Sequence, residues 1–360
     1  MTLSPRINFN SFKSGIRTAT AVAAMTMATA SCVIAEEDFR LRVATAFGTN
    51  LPGLGDQIVT IADQISVLTE GQVQMRAFEP GALVDAASIT QAVKDNKVPV
   101  GYTWLGYDQG RIPASVLISA GRPFGFEPVE FISWWFEGDG KALGEDLYAA
   151  HNIHPILCGL NGPETAGWYR KEITNIQDFN GLNIRFAGLG GQLLQQFGAA
   201  ITNLPGGELF SALERGAIDA TEYNTPQVDV KLGFYKIAEF NYFPGWHQGF
   251  TAMHLVVNRD VWNSFSDRQR AVIETACTGG TLRNLARSEY LAGIQMAENI
   301  ANGVQVRTLS SEILETLEAA YPAVEAAQIE ADANFATIVE SQNTFHDTYE
   351  KWTAVGYIQR

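Results

Sequence analysis

Strand-like and helix-like patterns alternate over residues 39–104, and this alternation restricts the fold more than any other feature of the sequence. The segments FRLRVATAF (39–47), GQVQMRAF (71–78) and VPVGYTW (98–104) have the pattern of β-strands. Between them, isoleucines recur at helical spacing over 55–69, and DAASITQAVKDNK (85–97) is also helical in pattern. The order β-α-β-α-β predicts a parallel sheet with helices on both faces.

The same pattern recurs 120 residues later along the chain. Residues 89–103 can be laid on 209–223, so that Ile89 meets Leu209 and Val98 meets Ile218. Each copy places a short amphipathic helix before a returning strand. The repeat predicts an α/β fold of two similarly built domains with a ligand cleft between their strand ends.

The N-terminal 35 residues have the pattern of a secretory signal peptide. Three basic residues precede TATAVAAMTMATA, an uncharged run that is too short and too weakly apolar to remain as a membrane span. The sequence therefore predicts cleavage near residue 35 and a periplasmic mature protein. Lipidation at Cys32 is disfavoured, because Thr29 stands where an apolar residue is normally required.

The charge of the mature chain excludes two classes of partner. Residues 1–35 contain three of the 25 Lys and Arg residues and none of the 39 Asp and Glu residues, so the mature net charge is −17. Such a chain is not expected to bind nucleic acid or an anionic membrane surface. The charge says little about small ligands, because a pocket can oppose the global sign.

Two cysteines remain after cleavage, Cys158 and Cys277. Both lie among apolar or small residues. We therefore expect two buried free thiols rather than a disulfide bridge.

The segment LNIRFAGLGGQLLQQFGA (182–199) offers two functional features. Its glycines approach the dinucleotide-binding motif G-x-G-x-x-G, but Leu193 replaces the third glycine, so this site is disfavoured. Arg185 lies between Ile184 and Phe186 in the predicted strand. A charge in that position must reach water, a structural acid or an anionic ligand.

The chain resembles the extracytoplasmic solute-binding proteins of TRAP transporters, the DctP type. Within that family it is most similar to the subgroup that binds 2-oxo acids or related carboxylates with a metal ion. The resemblance is carried by the order and spacing of GWYRKEI (167–173), GLNIRFAGLGG (181–191), LPGGELFSALERGAIDATEYNTP (204–226), KLGFYKIAEFNYFPGW (231–246) and VNRDVW (257–262), with WLGYDQG and RPFGF (122–126) in the first half.

The resemblance implies a two-domain periplasmic binding protein fold with an inter-domain ligand cleft and a long C-terminal helix. It implies a receptor rather than an enzyme, without a catalytic cofactor. The receptor would close on a small organic anion, with Na⁺ or Ca²⁺ in the ligand site, and deliver the anion to TRAP membrane permease subunits. The predicted domains are 36–160 with 250–300, and 161–249 with 301–322.

The segment 323–360 is predicted to be a helix that follows a break or kink at Pro322. Its apolar residues need a surface to cover them; they include Phe335, Ile338, Val339, Phe345 and Trp352. In the subgroup that the chain resembles, this helix crosses to a second subunit, which implies a homodimer. The alternative is that the helix folds back on its own domain.

The resemblance assigns roles to five positions. Arg185 would form a two-pronged pair with the ligand carboxylate, since a planar guanidinium matches a carboxylate with two parallel hydrogen bonds. Glu222 and the carbonyl of Tyr223 would hold the cation through oxygen ligands. Glu164 stands where the subgroup has glutamine, and Gln248 stands where it has an acid. If both face the metal and the ligand, the site keeps the same formal charge, but the negative charge lies at residue 164 instead of residue 248.

Other residues are predicted to line the ligand site because they follow strand ends or lie in the matching segments. They are Phe47, Trp104, Tyr107, Phe126, Asn224 and Trp246. Most aromatic residues of a domain this size belong to the core, so each also has a purely structural interpretation.

Two other functions remain open. An exported enzyme could use Glu164 and Glu222 as an acid/base pair, although no H-E-x-x-H, G-x-S-x-G or P-loop motif occurs. A ligand-presenting subunit of a sensor would have the same fold and pocket. Turnover by the purified protein would identify the enzyme, and genomic neighbours would identify the sensor.

Overall fold

The computed structural model of the protein describes residues 37–358. The predicted signal peptide, Cys32 and the cleavage region lie outside these residues. Within 37–358, no helix has the length and apolar character needed to cross a membrane.

Eleven strands in the described part of the chain form two sheets. They are β1 (Phe39–Thr45), β2 (Val73–Phe78), β3 (Val100–Trp104), β4 (Ile153–Asn161), β5 (Gly167–Tyr169), β6 (Asn183–Arg185), β7 (Ala200–Thr202), β8 (Ala220–Thr221), β9 (Phe240–Phe243), β10 (Thr251–Asn258) and β11 (Gln305–Thr308). The first sheet has the order β2-β1-β3-β10-β4, and the second has the order β11-β9-β5-β8-β6-β7.

The two sheets are built on the same plan. In the first, β1 lies between β2 and β3 and runs parallel to both. In the second, β6 lies between β7 and β8 and runs parallel to both. An antiparallel strand follows in each sheet, β10 beside β3 and β5 beside β8. The predicted α/β fold and the predicted repeat are both confirmed.

The chain crosses between the sheets three times, twice through short segments and once through the long helical region between β10 and β11. Residues 162–166 connect β4 of the first sheet to β5 of the second, and residues 244–250 connect β9 of the second sheet to β10 of the first. We call these the two crossover segments. The predicted domain boundaries remain a prediction, because the described chain packs as one compact unit.

Eleven helices cover the sheets and complete the described chain. They are α1 (Asp56–Leu68), α2 (Ile89–Lys94), α3 (Pro128–Glu137), α4 (Gly140–Ala149), α5 (Gly188–Gln196), α6 (Gly206–Glu214), α7 (Pro226–Leu232), α8 (Arg259–Ser264), α9 (Asp267–Ala301), α10 (Ser311–Ala331) and α11 (Ala333–Gly356). In α1, Ile58, Ile61 and Ile65 share one buried face, as their spacing predicts. Ser266 caps α9 in a capping box with Gln269.

Large aromatic side chains form the core between the first sheet and its helices. Phe131 and Trp135 of α3 are almost completely buried. Phe131 stacks on Phe250 with ring centres 3.9 Å apart, and Trp135 contacts His254 of β10 at 5.4 Å. This packing fixes β10, and with it the end of the second crossover segment.

The C-terminal helices differ from the prediction in two ways. Pro322 lies inside α10, and the helix break falls at Asp332, whose carboxylate accepts a hydrogen bond from the backbone N–H of Phe335 (2.7 Å) and starts α11. Phe335, Ile338 and Val339 are buried within their own chain. The expectation that these residues need a partner subunit is therefore wrong, and only the last turns of α11 expose a group of apolar side chains.

Cys158 of β4 and Cys277 of α9 are joined by a disulfide. The expectation of two free thiols is wrong. The residues are 119 positions apart, and only the packing of α9 against β4 brings them together. Local sequence context carries no information on such a pairing.

Candidate functional site

A small cavity lies between the ends of the two sheets. The sheet residues around it come at or just after the carboxyl ends of β1, β3, β6 and β8, where α/β sheets usually bind ligands. The crossover segments contribute Glu164 and Gln248. The full lining is Phe47, Leu54, Trp104, Tyr107, Glu164, Arg185, Ala187, Glu222, Tyr223, Asn224, Gln248 and Thr251.

Arg185 is the last residue of β6 and is buried. Its Nη1 donates to the Oε2 atom of Glu222 (2.9 Å) and to the Glu222 carbonyl (2.6 Å). Its Nε donates to the carbonyl of Leu204 (3.3 Å). The Nη2 group makes no hydrogen bond with residues 37–358, so it remains available to a ligand in the cavity.

Glu222 is buried directly after β8 and is held on two sides. Besides Arg185, the backbone N–H of Ala187 donates to its Oε2 atom (3.2 Å). Burial alone would raise the pKa of Glu222, but the charge of Arg185 and the nearby His247 outweigh burial and lower that pKa to about 2. Glu222 is therefore an anion at neutral pH.

Glu164 lies on the first crossover segment and is bound through one oxygen only. Its Oε1 accepts from the Nδ2 group of Asn224 (2.7 Å) and from the hydroxyl of Thr251. Gln248 in turn donates to that hydroxyl (2.9 Å). The Oε2 atom of Glu164 is buried and has no hydrogen-bond partner among residues 37–358.

His247 also belongs to this group, although its sequence pattern did not indicate it. Its Nε2 atom lies 3.6 Å from Oε2 of Glu164 and 3.6 Å from Oε1 of Glu222. Neither ring nitrogen has a hydrogen-bond partner in the described chain. The available signal was its position directly before Gln248, but one histidine beside a predicted site residue is weak evidence on its own.

The electrostatics of these groups are mutually dependent. Burial and the nearby Glu222 together raise the pKa of Glu164 to about 8, against the opposing effect of His247. Burial would lower the pKa of His247, but the two carboxylates outweigh burial and raise it to about 9. The site therefore favours positive charge between Glu164 and Glu222.

Aromatic rings form the walls of the cavity. Trp104 and Tyr107 meet edge to face with ring centres 5.2 Å apart, and the guanidinium of Arg185 lies 5.2 Å from the ring centre of Tyr223. Phe47 completes this wall.

Two of the predicted site residues do not line the cavity. Phe126 packs against Trp134 and Phe345, and Trp246 stacks on Phe186. Sequence reasoning missed His247, which lies beside the cavity, and it also missed three residues of the lining. These are Leu54, Ala187 and Thr251. These are small or apolar positions without a functional motif.

Chemically, the site combines one fixed guanidinium with two carboxylates in a closed, largely apolar cavity. An anion can be bound by Arg185, and a cation can be bound between Glu164 and Glu222. Within the described chain, the groups that hydrogen-bond the carboxylates are amides, a hydroxyl and a guanidinium, and none of them is placed as an activated nucleophile.

Comparison with known proteins agrees with this fold and site. The sequence profile of the bacterial extracellular solute-binding proteins, family 7 (DctP), matches residues 53–331. A monocarboxylate 2-oxoacid-binding periplasmic protein of Nostoc sp. is 31% identical over 296 residues, 82% of this chain and 81% of that protein.

Two similar crystal structures carry small carboxylates. A TRAP transporter solute-binding protein from Bordetella bronchiseptica, a mixed-occupancy dimer with copurified calcium and picolinate, matches with a TM-score of 0.86 at 29% identity; the match covers 89% of this chain and 95% of that one. A TRAP periplasmic solute-binding protein from Pseudoalteromonas atlantica, with bound sodium and pyruvate, matches with a TM-score of 0.83 at 26% identity, covering 88% and 96%. The chain therefore belongs to the DctP family of bacterial extracellular solute-binding proteins.

Proposed function

We propose that this protein binds a small 2-oxo acid or similar carboxylate together with a cation in the cavity, and delivers the carboxylate to a TRAP-type membrane permease. The main support is Arg185, a buried guanidinium that lines the cavity with its Nη2 group unused. The 2-oxo acid class is supported by the protein from Nostoc and by the pyruvate-bound relative.

The cation follows from the charges in the cavity. Glu222 already neutralises Arg185, so a bound carboxylate needs a further positive charge next to Glu164, which a cation or a protonated His247 can supply. The donor set fits a cation, since the carboxylates of Glu164 and Glu222 face each other and the Oε2 atom of Glu164 has no partner within residues 37–358. Tyr223 would add its backbone carbonyl, as the resemblance implies.

Ligand capture would close the cleft through movement at the two crossover segments. Glu164 and Gln248 belong to these segments. A ligand that contacts them would therefore stabilise the closed arrangement directly.

The function is tested by identifying what co-purifies. Mass spectrometry of the released small molecule, with elemental analysis of the same untagged sample, should find one small organic acid per chain together with a metal ion. Calorimetry with purified 2-oxo acids should then show one site per chain. Binding of a neutral sugar or a cationic ligand, with no response to any carboxylate, would contradict the proposal.

An exported enzyme is the alternative that one observation favours. The pKa values of the two neighbouring carboxyl groups are pushed apart, with Glu164 raised and Glu222 lowered, as in acid/base pairs. The family to which the chain belongs consists of solute-binding receptors. Recovery of the bound acid chemically unchanged after long incubation would support the receptor, and conversion would support the enzyme.

We further propose that the chain forms a homodimer through the end of α11. Apolar side chains are exposed there, including Trp352 (58%) and Val355 (82%), and the relative from Bordetella bronchiseptica is a dimer. Truncation near residue 327 would also remove the buried Phe335, so Trp352→Glu with Val355→Glu is the cleaner test. Sedimentation should show a dimer that becomes monomeric in the double variant; a monomeric wild type at micromolar concentration would refute the proposal.

A further inference from the structure

His247 lies beside the cavity, with its Nε2 atom 3.6 Å from both Glu164 and Glu222, and an all-oxygen cation site does not explain this imidazole. Only 4% of the residue is exposed, and both ring nitrogens lack a hydrogen-bond partner in the described chain. Leaving such a group unsatisfied is costly. The unpartnered Oε2 atom of Glu164, itself in a residue that is 2% exposed, faces the same point.

The separations between these atoms fit a shared metal ion better than hydrogen bonds. A distance of 3.6 Å from Nε2 to each carboxylate oxygen is too long for a hydrogen bond. Two ligand atoms that each lie about 2.1 Å from a tetrahedral ion are about 3.4 Å apart. Small side-chain shifts would therefore bring Glu164, Glu222 and His247 onto one ion.

Gly190, near the start of α5, leaves the space that His247 occupies. A Cβ atom on Gly190 would lie only 2.5 Å from the Cβ atom of His247, so the histidine can approach α5 this closely only because residue 190 is glycine. The ring of Phe186 contacts the imidazole edge to face at 4.6 Å. Gly190, which resembled part of a nucleotide-binding motif, thus leaves the space that His247 needs.

We propose that Glu164, Glu222 and His247 form a mixed nitrogen–oxygen site for a divalent transition ion of the Zn²⁺ type. The proposal rests on the cation-assisted function given above and refines its cation. Na⁺ and Ca²⁺ favour oxygen ligands, whereas imidazole nitrogen favours Zn²⁺ and its neighbours in the first transition row. Three protein ligands leave a fourth position that the bound carboxylate can occupy.

Metal affinity measured without any organic ligand tests this proposal separately from the proposed function. Untagged protein is stripped with a chelator, dialysed and titrated by calorimetry with Zn²⁺, Ca²⁺ and Na⁺ in parallel. Co²⁺ serves as a visible probe, because nitrogen coordination in a four- or five-coordinate site gives intense d–d absorption. We expect Zn²⁺ and Co²⁺ to bind at one site per chain and more tightly than Ca²⁺.

Three variants assign the binding to His247. His247→Gln should weaken Zn²⁺ binding by about 100-fold, the upper end of the range for metal-supporting groups, and should change Ca²⁺ affinity much less. Gly190→Ala should weaken Zn²⁺ binding in the same direction by displacing an intact imidazole. His151→Gln, a histidine outside the cavity, should bind Zn²⁺ like the wild type, and metal-free thermal unfolding shows whether each variant is folded.

Two results of the metal titrations would overturn the proposal, and one result of a carboxylate titration would refute it as well. One is a wild-type protein that binds Ca²⁺ or Na⁺ but not Zn²⁺. The other is unchanged Zn²⁺ and Co²⁺ binding in His247→Gln. Carboxylate binding at full affinity by the metal-stripped protein would show that protonated His247 itself supplies the positive charge, which refutes the metal site while leaving the receptor function intact.

Discussion

Arg185→Lys is the most informative single substitution for the proposed carboxylate site. The wild-type guanidinium holds Glu222 through Nη1, reaches Leu204 through Nε, and keeps Nη2 for the ligand. A lysine ammonium can retain the ion pair with Glu222, but it cannot also present a donor in the plane of a ligand carboxylate. Losing one hydrogen bond to a charged group costs about 1.5–3 kcal/mol, which corresponds to a roughly ten- to hundredfold increase in Kd.

Lysine is preferable to alanine because alanine would also perturb folding. Arg185→Ala leaves Glu222 as a buried carboxylate without its main partner, and breaking a buried pair in this way costs about 3–5 kcal/mol of stability. Calorimetric titration with the co-purified acid measures Kd, and urea unfolding of the same samples measures stability. The exposed Arg215→Lys is the matched control. Unchanged Kd in a folded Arg185→Lys protein would refute the assignment of this residue to the ligand.

Other regions of the molecule give further predictions. Replacing both Cys158 and Cys277 with serine should lower the free energy of unfolding by about 2–5 kcal/mol, because the disulfide closes a loop of 119 residues; ligand Kd should stay the same, and equal stability with and without reductant in the wild type would contradict this. Burial lowers the pKa of His254 to about 3, so the unfolded chain, with an ordinary histidine near 6.5, takes up the proton first. The stability contributed by neutral His254 is complete above pH 6.5 and is lost on acidification by up to about 1.4 kcal/mol per pH unit. Urea midpoints between pH 4 and 7 should fall less steeply in His254→Leu than in the wild type, and parallel curves would show that His254 does not titrate as described.

The parts of the fold that could be predicted from sequence are those with local periodicity. The isoleucines of α1 and the repeated helix–strand units have a regular spacing that reflects which face is buried. The crossover segments and β5, which is three residues long, have no such pattern. The helix break was predicted at Pro322, but α10 continues through this proline and ends ten residues later, before Asp332.

The candidate site was predictable where a functional residue sits in a distinctive segment. Arg185 ends one recognisable strand and Glu222 follows another, and the structure brings them together in one cavity. His247 and the disulfide depend on contacts between distant parts of the chain. The partner of Cys158 is set by the packing of α9 on β4, and the role of His247 depends on the space left by Gly190, so neither could be read from neighbouring residues.

The location of Glu164 and Gln248 on the crossover segments has a consequence for how such receptors diverge. A substitution at either position alters the pocket and, at the same time, a segment about which we propose that the cleft opens. The apparent Kd of a receptor varies inversely with the fraction of unliganded molecules that is already competent to bind. Two descendants with the same pocket contacts can thus respond to nutrient concentrations that differ by orders of magnitude. An engineer who retunes this protein as a biosensor must therefore measure the resting open–closed ratio of every variant, because a new selectivity and a new detection threshold will arise from the same mutation.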